Sequence, residues 1–159
     1  MMKFVVKGIL VLMTVFFVTS TAFASEHKAT VSECIDMTKK AAAMLLEDRD
    51  AALAEISKRD GQFVWKDSYV FAMNLEGKML AHPFMPGLMR MDNLLLTPDK
   101  NVEDPKMLFV EFVVLASTEG KGWVEYMWPK PGSTTPSIKE TYIYRVPDTN
   151  MFVGAGIYR

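Results

Sequence analysis

The chain has 159 residues, 18 Lys and Arg against 19 Asp and Glu, a half-hydrophobic composition and one cysteine. The balanced charge argues against a nucleic-acid partner, which usually needs a clustered basic surface. One cysteine excludes an internal disulfide.

Residues 1–24, MMKFVVKGILVLMTVFFVTSTAFA, read as a secretory signal: Lys3 and Lys7 form the positive end, residues 8–24 carry no charge, and Ala22-Phe23-Ala24 is an A-x-A cleavage site. The apolar run also approaches the roughly 20 residues of a membrane anchor, but its small-residue ending favours removal. Removal leaves 135 residues with 16 basic and 19 acidic side chains, a net charge of -3, in a periplasmic or secreted protein. That length suits one domain.

Residues 30–58 place Val31, Cys34, Ile35, Thr38, Ala41, Ala42, Leu45 and Leu46 at helical spacing. Thr30 and Glu33 form a capping box, and the run Glu47-Asp48-Arg49-Asp50 bends or breaks the helix, with Asp50 a candidate cap for a second one. Cys34 is expected to be a free thiol packed on the apolar face. After Gly61 the texture changes to short strands at 69–74 and 78–82, joined by the turn Leu75-Glu76-Gly77. A stretch of 22 residues broken by Pro83, Pro86 and Pro98 follows, and a loop this long in a small domain is usually functional or partly disordered.

Asp104-Pro105 has the form of an N-cap followed by proline at the first helical position, which opens a helix over 106–117. The composition of that run also fits a buried strand; length and cap favour the helix. Strands at 122–128, 137–146 and 151–158 complete the chain. Short turns between successive strands require antiparallel pairing, so the class is α+β.

The segments YVFAMNLEGKMLAHP, GWVEYMWPKPG and KETYIYRVPDTNMFVGAGIY resemble the single Cache domain, an extracytoplasmic sensor module of bacterial receptors. The likeness covers the mature chain, 25–159. It implies a long N-terminal helix packed on a five-stranded antiparallel PAS-like sheet, with a pocket between the sheet and the segment after Ala81-His82-Pro83 that takes small organic acids. It also implies pairing of two copies through the N-terminal helix and a partner such as an envelope receptor or sensor kinase. Most members continue into a second membrane helix and a signalling module; this sequence stops at Arg159 and is read as a free-standing version.

Strand alternation sets Val124, Tyr126 and Trp128 on one face, and Glu125 tilts the other towards solvent. Tyr126 and Trp128 are then either core or the wall of a pocket. A carboxylate ligand needs a cation or strong donors, and Arg90, His82 and Lys139 are the candidates, with Tyr142 nearby. The expected site is thus Tyr126, Trp128, His82, Arg90, Lys139 and Tyr142, binding a small organic anion. A rival set, Met79, His82, Met85, Met89 and Met91, offers soft ligands for Cu(I). No enzyme motif and no cofactor fingerprint is present: there is no G-x-S-x-G, no H-E-x-x-H and no phosphate-cradling glycine loop. Gly154 and Gly156, two apart in a strand, suggest close approach of a neighbour.

Overall fold

A computed structural model describes residues 27–159, so the expected signal segment lies outside the described residues. The chain opens with α1 (Val31–Glu47) and α2 (Arg49–Ile56). Thr30 Oγ1 accepts from Glu33 N–H at 3.3 Å and the Glu33 carboxylate accepts from Thr30 N–H at 2.8 Å, the reciprocal pair expected from the sequence. Thr30→Ala removes an acceptor from the first turn and is expected to lower stability by about 1 kcal/mol in urea unfolding; an unchanged midpoint would mean that water satisfies the turn equally well. The break between the helices falls at Asp48, not Asp50, because the Asp48 side chain accepts from Ala51 N–H at 3.0 Å.

Six strands form one antiparallel sheet, one more than expected: β1 (Val64–Trp65), β2 (Ser68–Asn74), β3 (Met79–Ala81), β4 (Lys121–Pro129), β5 (Pro136–Arg145) and β6 (Met151–Tyr158). The order is β1-β2-β6-β5-β4, with β3 also paired to β2. The extra strand, β1, is two residues long, too short to show alternation, and exists because the turn at Lys66 and Asp67 folds it back onto Ser68 and Tyr69.

Between β3 and β4 lie a one-turn helix, α3 (Pro86–Met89), and the longer α4 (Leu108–Thr118). The helix expected from residue 106 with Asp104 as its cap begins later, at Leu108 after Met107. Residues 99–106 are held as a loop instead: Asp99 accepts from Met127, Lys106 and Asn101 N–H, and Asn101 accepts from Glu103 and Asp104 N–H. Five polar contacts outside the helix thus outcompete the capping pattern of Asp104-Pro105.

Helices cover both sides of the sheet. One core lies under α1 and α2, with Cys34, Leu45, Ile56, Val70, Val153 and Ala155. The other lies under α4 and the segment that follows β3, with Tyr69, Phe71, Phe109, Phe112, Tyr126 and Trp128. The central strands are therefore buried on both faces and lose the alternation that a half-exposed strand shows, as β2 does from Ser68 to Met73. Cys34 is fully buried, and burial pushes its thiol up to about 11.

Candidate functional site

The second core holds a small cavity, with about 10 Å³ free for a water-sized sphere, close to the room one water needs. Its wall comes from five places in the chain: Tyr69 and Phe71 on β2, Met79 and His82 at β3, Leu88 on α3, Leu108, Phe109 and Phe112 at α4, and Tyr126 and Trp128 on β4. The aromatic rings interlock. Phe112 meets Phe71 at 5.6 Å and Tyr126 at 5.4 Å between centroids, and Phe109 stands edge-on to Trp128 at 6.1 Å. Edge-on and offset contacts of this kind add to the burial of the rings.

Polar groups reach this aromatic box from two sides. Tyr126 Oη and Thr141 Oγ1 are 2.9 Å apart, so the phenol is satisfied while its ring faces the cavity. His82 is buried, and its Nδ1 accepts from the backbone N–H groups of Phe84 (3.1 Å) and Met85 (3.0 Å). Two donors at Nδ1 put the ring proton on Nε2, which leaves an N–H donor for a guest. Burial first, and the charge of Lys139 second, hold the His82 pKa down at about 3 from its ordinary 6.5.

Acid lability follows with a definite sign. Between those two values the unfolded chain binds a proton that the folded protein excludes, so stability is full above about pH 6.5 and falls as pH drops towards 3. At pH 5 the loss from this residue is about 2 kcal/mol relative to pH 7. His82→Asn, which keeps an acceptor for the two amides, should flatten the difference between urea midpoints at pH 7 and pH 5; equal slopes in the two proteins would refute it.

Lys139 is the least ordinary residue in the fold. Its side chain is fully buried, and Nζ has no hydrogen-bond partner among the described residues. It lies 3.9 Å from the Tyr69 ring centroid and 4.8 Å from that of Tyr158, in the row where β4, β5 and β6 set Tyr126, Lys139 and Tyr158 side by side. Two rings offer a cation part of what water would, yet they accept no strong hydrogen bond. Gly156 makes this placement possible. A Cβ there would stand 2.9 Å from Lys139 Cε and 2.4 Å from Thr141 Oγ1, so the bare backbone of β6 is the bed on which the lysine stem lies.

Of the six residues expected from the sequence, the structure gathers four. Tyr126, Trp128 and His82 line the cavity, and Lys139 packs on Tyr69, one of its walls. Tyr142 does not join them: three residues from Lys139 along β5, it projects from the opposite face, where it packs on Trp123 (5.2 Å) and Tyr144 (6.4 Å). Arg90 sits exposed at the end of α3, close in sequence to the lining residue Leu88 but outside the cavity wall. The methionine set ranges from buried Met79 to exposed Met91, and His82 Nδ1 is already taken by two amides. Missed by the sequence reading were Phe109 and Phe112, one helical turn apart on α4, and Phe71, which alternates with Tyr69 as Trp128 does with Tyr126. That repeated pairing of aromatics two apart on strands was the available signal.

Comparison with known proteins places this geometry. The family model for the Cache domain matches residues 26–159. The methyl-accepting chemotaxis protein McpP of Pseudomonas putida KT2440 is 34% identical over 94 residues, which are 58% of this chain and 16% of that protein. The chain therefore spans a small part of that relative's length. Two solved structures share the fold at useful identity. A periplasmic sensor domain of a chemotaxis protein has 30% identity and a TM-score of 0.62, covering 78% of this chain and 86% of its own. A Cache chemosensory domain described for its carboxylic acid recognition has 26% identity and a TM-score of 0.68, covering 80% and 91%. A methyl-accepting chemotaxis protein from Vibrio parahaemolyticus, at 19% identity and a TM-score of 0.64, shares the fold alone.

Proposed function

The chain belongs to the Cache domain family, and on that premise we propose that it senses a small organic anion, whose carboxylate pairs with Lys139 and whose short apolar part fills the aromatic cavity. The observation that carries this reading is the fully buried Lys139 Nζ, which has no hydrogen-bond partner among the described residues. A cation withdrawn from water without a counter-charge is strongly disfavoured, so a site that keeps one in its core is poised for an anion. The ring N–H of His82 supplies a second donor. The relative solved for carboxylic acid recognition supports the same ligand class.

With about 10 Å³ free, the cavity as it stands admits no more than a water, so binding requires the rings or the segment after β3 to move apart. His82 fastens that segment through the amides of Phe84 and Met85, and Arg59 lies 5.9 Å over the Phe84 ring. A guest that hydrogen-bonds His82 Nε2 would therefore act on the segment that closes the site. In this reading the domain is extracytoplasmic, occupancy passes to an envelope receptor or sensor kinase, and α1 contributes a contact between copies. No helix among the described residues is long and apolar enough to cross a membrane.

The direct test is a thermal-shift screen of the purified protein against acetate, propionate, pyruvate, lactate, amino acids and Cu(I). A ligand at a hundred times its dissociation constant adds about 2.7 kcal/mol to stability. A rise with short carboxylates supports the proposal; a rise with Cu(I) alone would move the assignment to the methionine set, and no rise with any carboxylate would sink it. Leu46, 54% exposed on α1, allows the helix contact to be tested separately, because Leu46→Glu should weaken any dimer formed through α1 without touching the core.

A further inference from the structure

β4 is an edge strand whose outer side is free at one end and occupied at the other. Met127 marks the occupied end: its N–H donates to Asp99 Oδ2 at 2.9 Å, and its carbonyl accepts from Lys100 N–H at 3.0 Å. Both groups point away from β5. By the two-residue period of a strand, the N–H and C=O groups of Glu125, Trp123 and Lys121 point the same way, and among the described residues nothing bonds them. A row of unpaired backbone groups on a straight edge is a template for another strand.

We infer that this edge pairs with the same edge of a second copy of the chain, antiparallel and centred on Trp123. The side chains select that occupant and that register. Pairing about Trp123 sets Lys121 of each copy opposite Glu125 of the other, and stacks one Trp123 beside its counterpart. Centring on Lys121 or on Glu125 would put like charges face to face. Lys121 has no ion-pair partner among the described residues, and Glu125 has only Arg159, at 3.9 Å. Trp123, at the centre of the proposed seam, is 38% exposed, an apolar side chain available to pack on its counterpart. The three residue pairs at 121, 123 and 125 each exchange two backbone hydrogen bonds, and the loop at Asp99 and Lys100 stops the ladder at Met127. The resulting sheet is continuous across both copies, with both aromatic cavities on one side and both α1 helices on the other. This contact is independent of any made through α1.

Sedimentation velocity of the purified protein over a wide concentration range tests it, with Lys121→Glu, Glu125→Lys and the double exchange. The wild type should dimerise with rising concentration. Each single exchange sets two like-charged pairs in the seam and should weaken the dimer on the order of tenfold, whereas the double exchange restores opposite charges and most of the affinity. Trp123→Pro, which removes an outward N–H at a position where an edge tolerates proline, should also weaken it. A monomer at every concentration, a dimer indifferent to the single exchanges, or a double exchange as weak as the singles would each overturn the proposal. A dimer sensitive to Leu46→Glu but not to these variants would place the contact on α1 instead.

Discussion

Replacing Lys139 by Met is expected to leave the empty protein at least as stable as the wild type while lowering its affinity for a short carboxylate on the order of a hundredfold. The two effects have opposite signs, and that is what makes the substitution informative. Met approximates the lysine stem, keeps the contacts with Tyr69 and Tyr158, and removes a cation whose Nζ is fully enclosed without a partner among the described residues. A structural lysine would show the reverse, with stability lost and no binding to lose. Denaturant unfolding without ligand and calorimetry with the best carboxylate from the screen separate the cases. A variant several kcal/mol less stable than the wild type, or one that binds equally well, would show that Lys139 does not hold the ligand. Arg90→Ala, by contrast, alters an exposed side chain outside the cavity wall and should leave affinity within a few fold unless the guest reaches past α3.

Gly156→Ala is expected to lower stability by about 2 to 3 kcal/mol, among the largest effects of a single methyl group in this fold. The added Cβ would meet the Glu140 carbonyl oxygen at 2.5 Å and Thr141 Oγ1 at 2.4 Å. The first is backbone in the centre of a sheet and has nowhere to go. Relief would have to come from shifting β5 against β6, which would carry Lys139 and the Tyr126–Thr141 hydrogen bond with it. Affinity for carboxylate should therefore fall together with stability. Gly87→Ala is the matched control: nothing lies within 4 Å of its Cβ, so it should be neutral within about 0.5 kcal/mol. If both alanine variants unfolded at the wild-type midpoint, the close packing of β5 on β6 would be wrong.

Much of this architecture was legible because local physics decided it. The capping box of Thr30 and Glu33 is self-contained within four residues, and the spacing of Cys34, Thr38, Ala41 and Leu45 needs only a helix and one apolar partner surface. The alternation of Val124, Tyr126 and Trp128 identifies their shared face, since β4 is an edge strand exposed on its other side. Family resemblance added the position of the pocket. Where the reading faltered, a longer-range competitor won. Asp104-Pro105 looks like a helix start, but Asp99 and Asn101 claim the neighbouring amides and tie the loop to β4. Tyr142 looked close to Lys139, but a separation of three in a strand puts two side chains on opposite faces, a parity that aromatic composition alone obscured.

By itself, then, the sequence determined the class of fold, the start of α1, the three long C-terminal strands and the sheet face that carries Tyr126 and Trp128, because each depends on periodicity, capping or turn chemistry within about ten residues. Only the tertiary structure decided which of the two candidate cations is buried beside the cavity. Arg90 and Lys139 are equally plausible as isolated charges. Lys139 is distinguished by what surrounds it: Gly156 leaves room for its stem, Tyr69 and Tyr158 close over its head, and no acceptor among the described residues reaches Nζ. Those neighbours come from β2 and β6, which pair in the sheet but lie far apart in the chain, and desolvation, unlike periodicity, is a property of everything that packs around an atom rather than of the residues beside it in the chain.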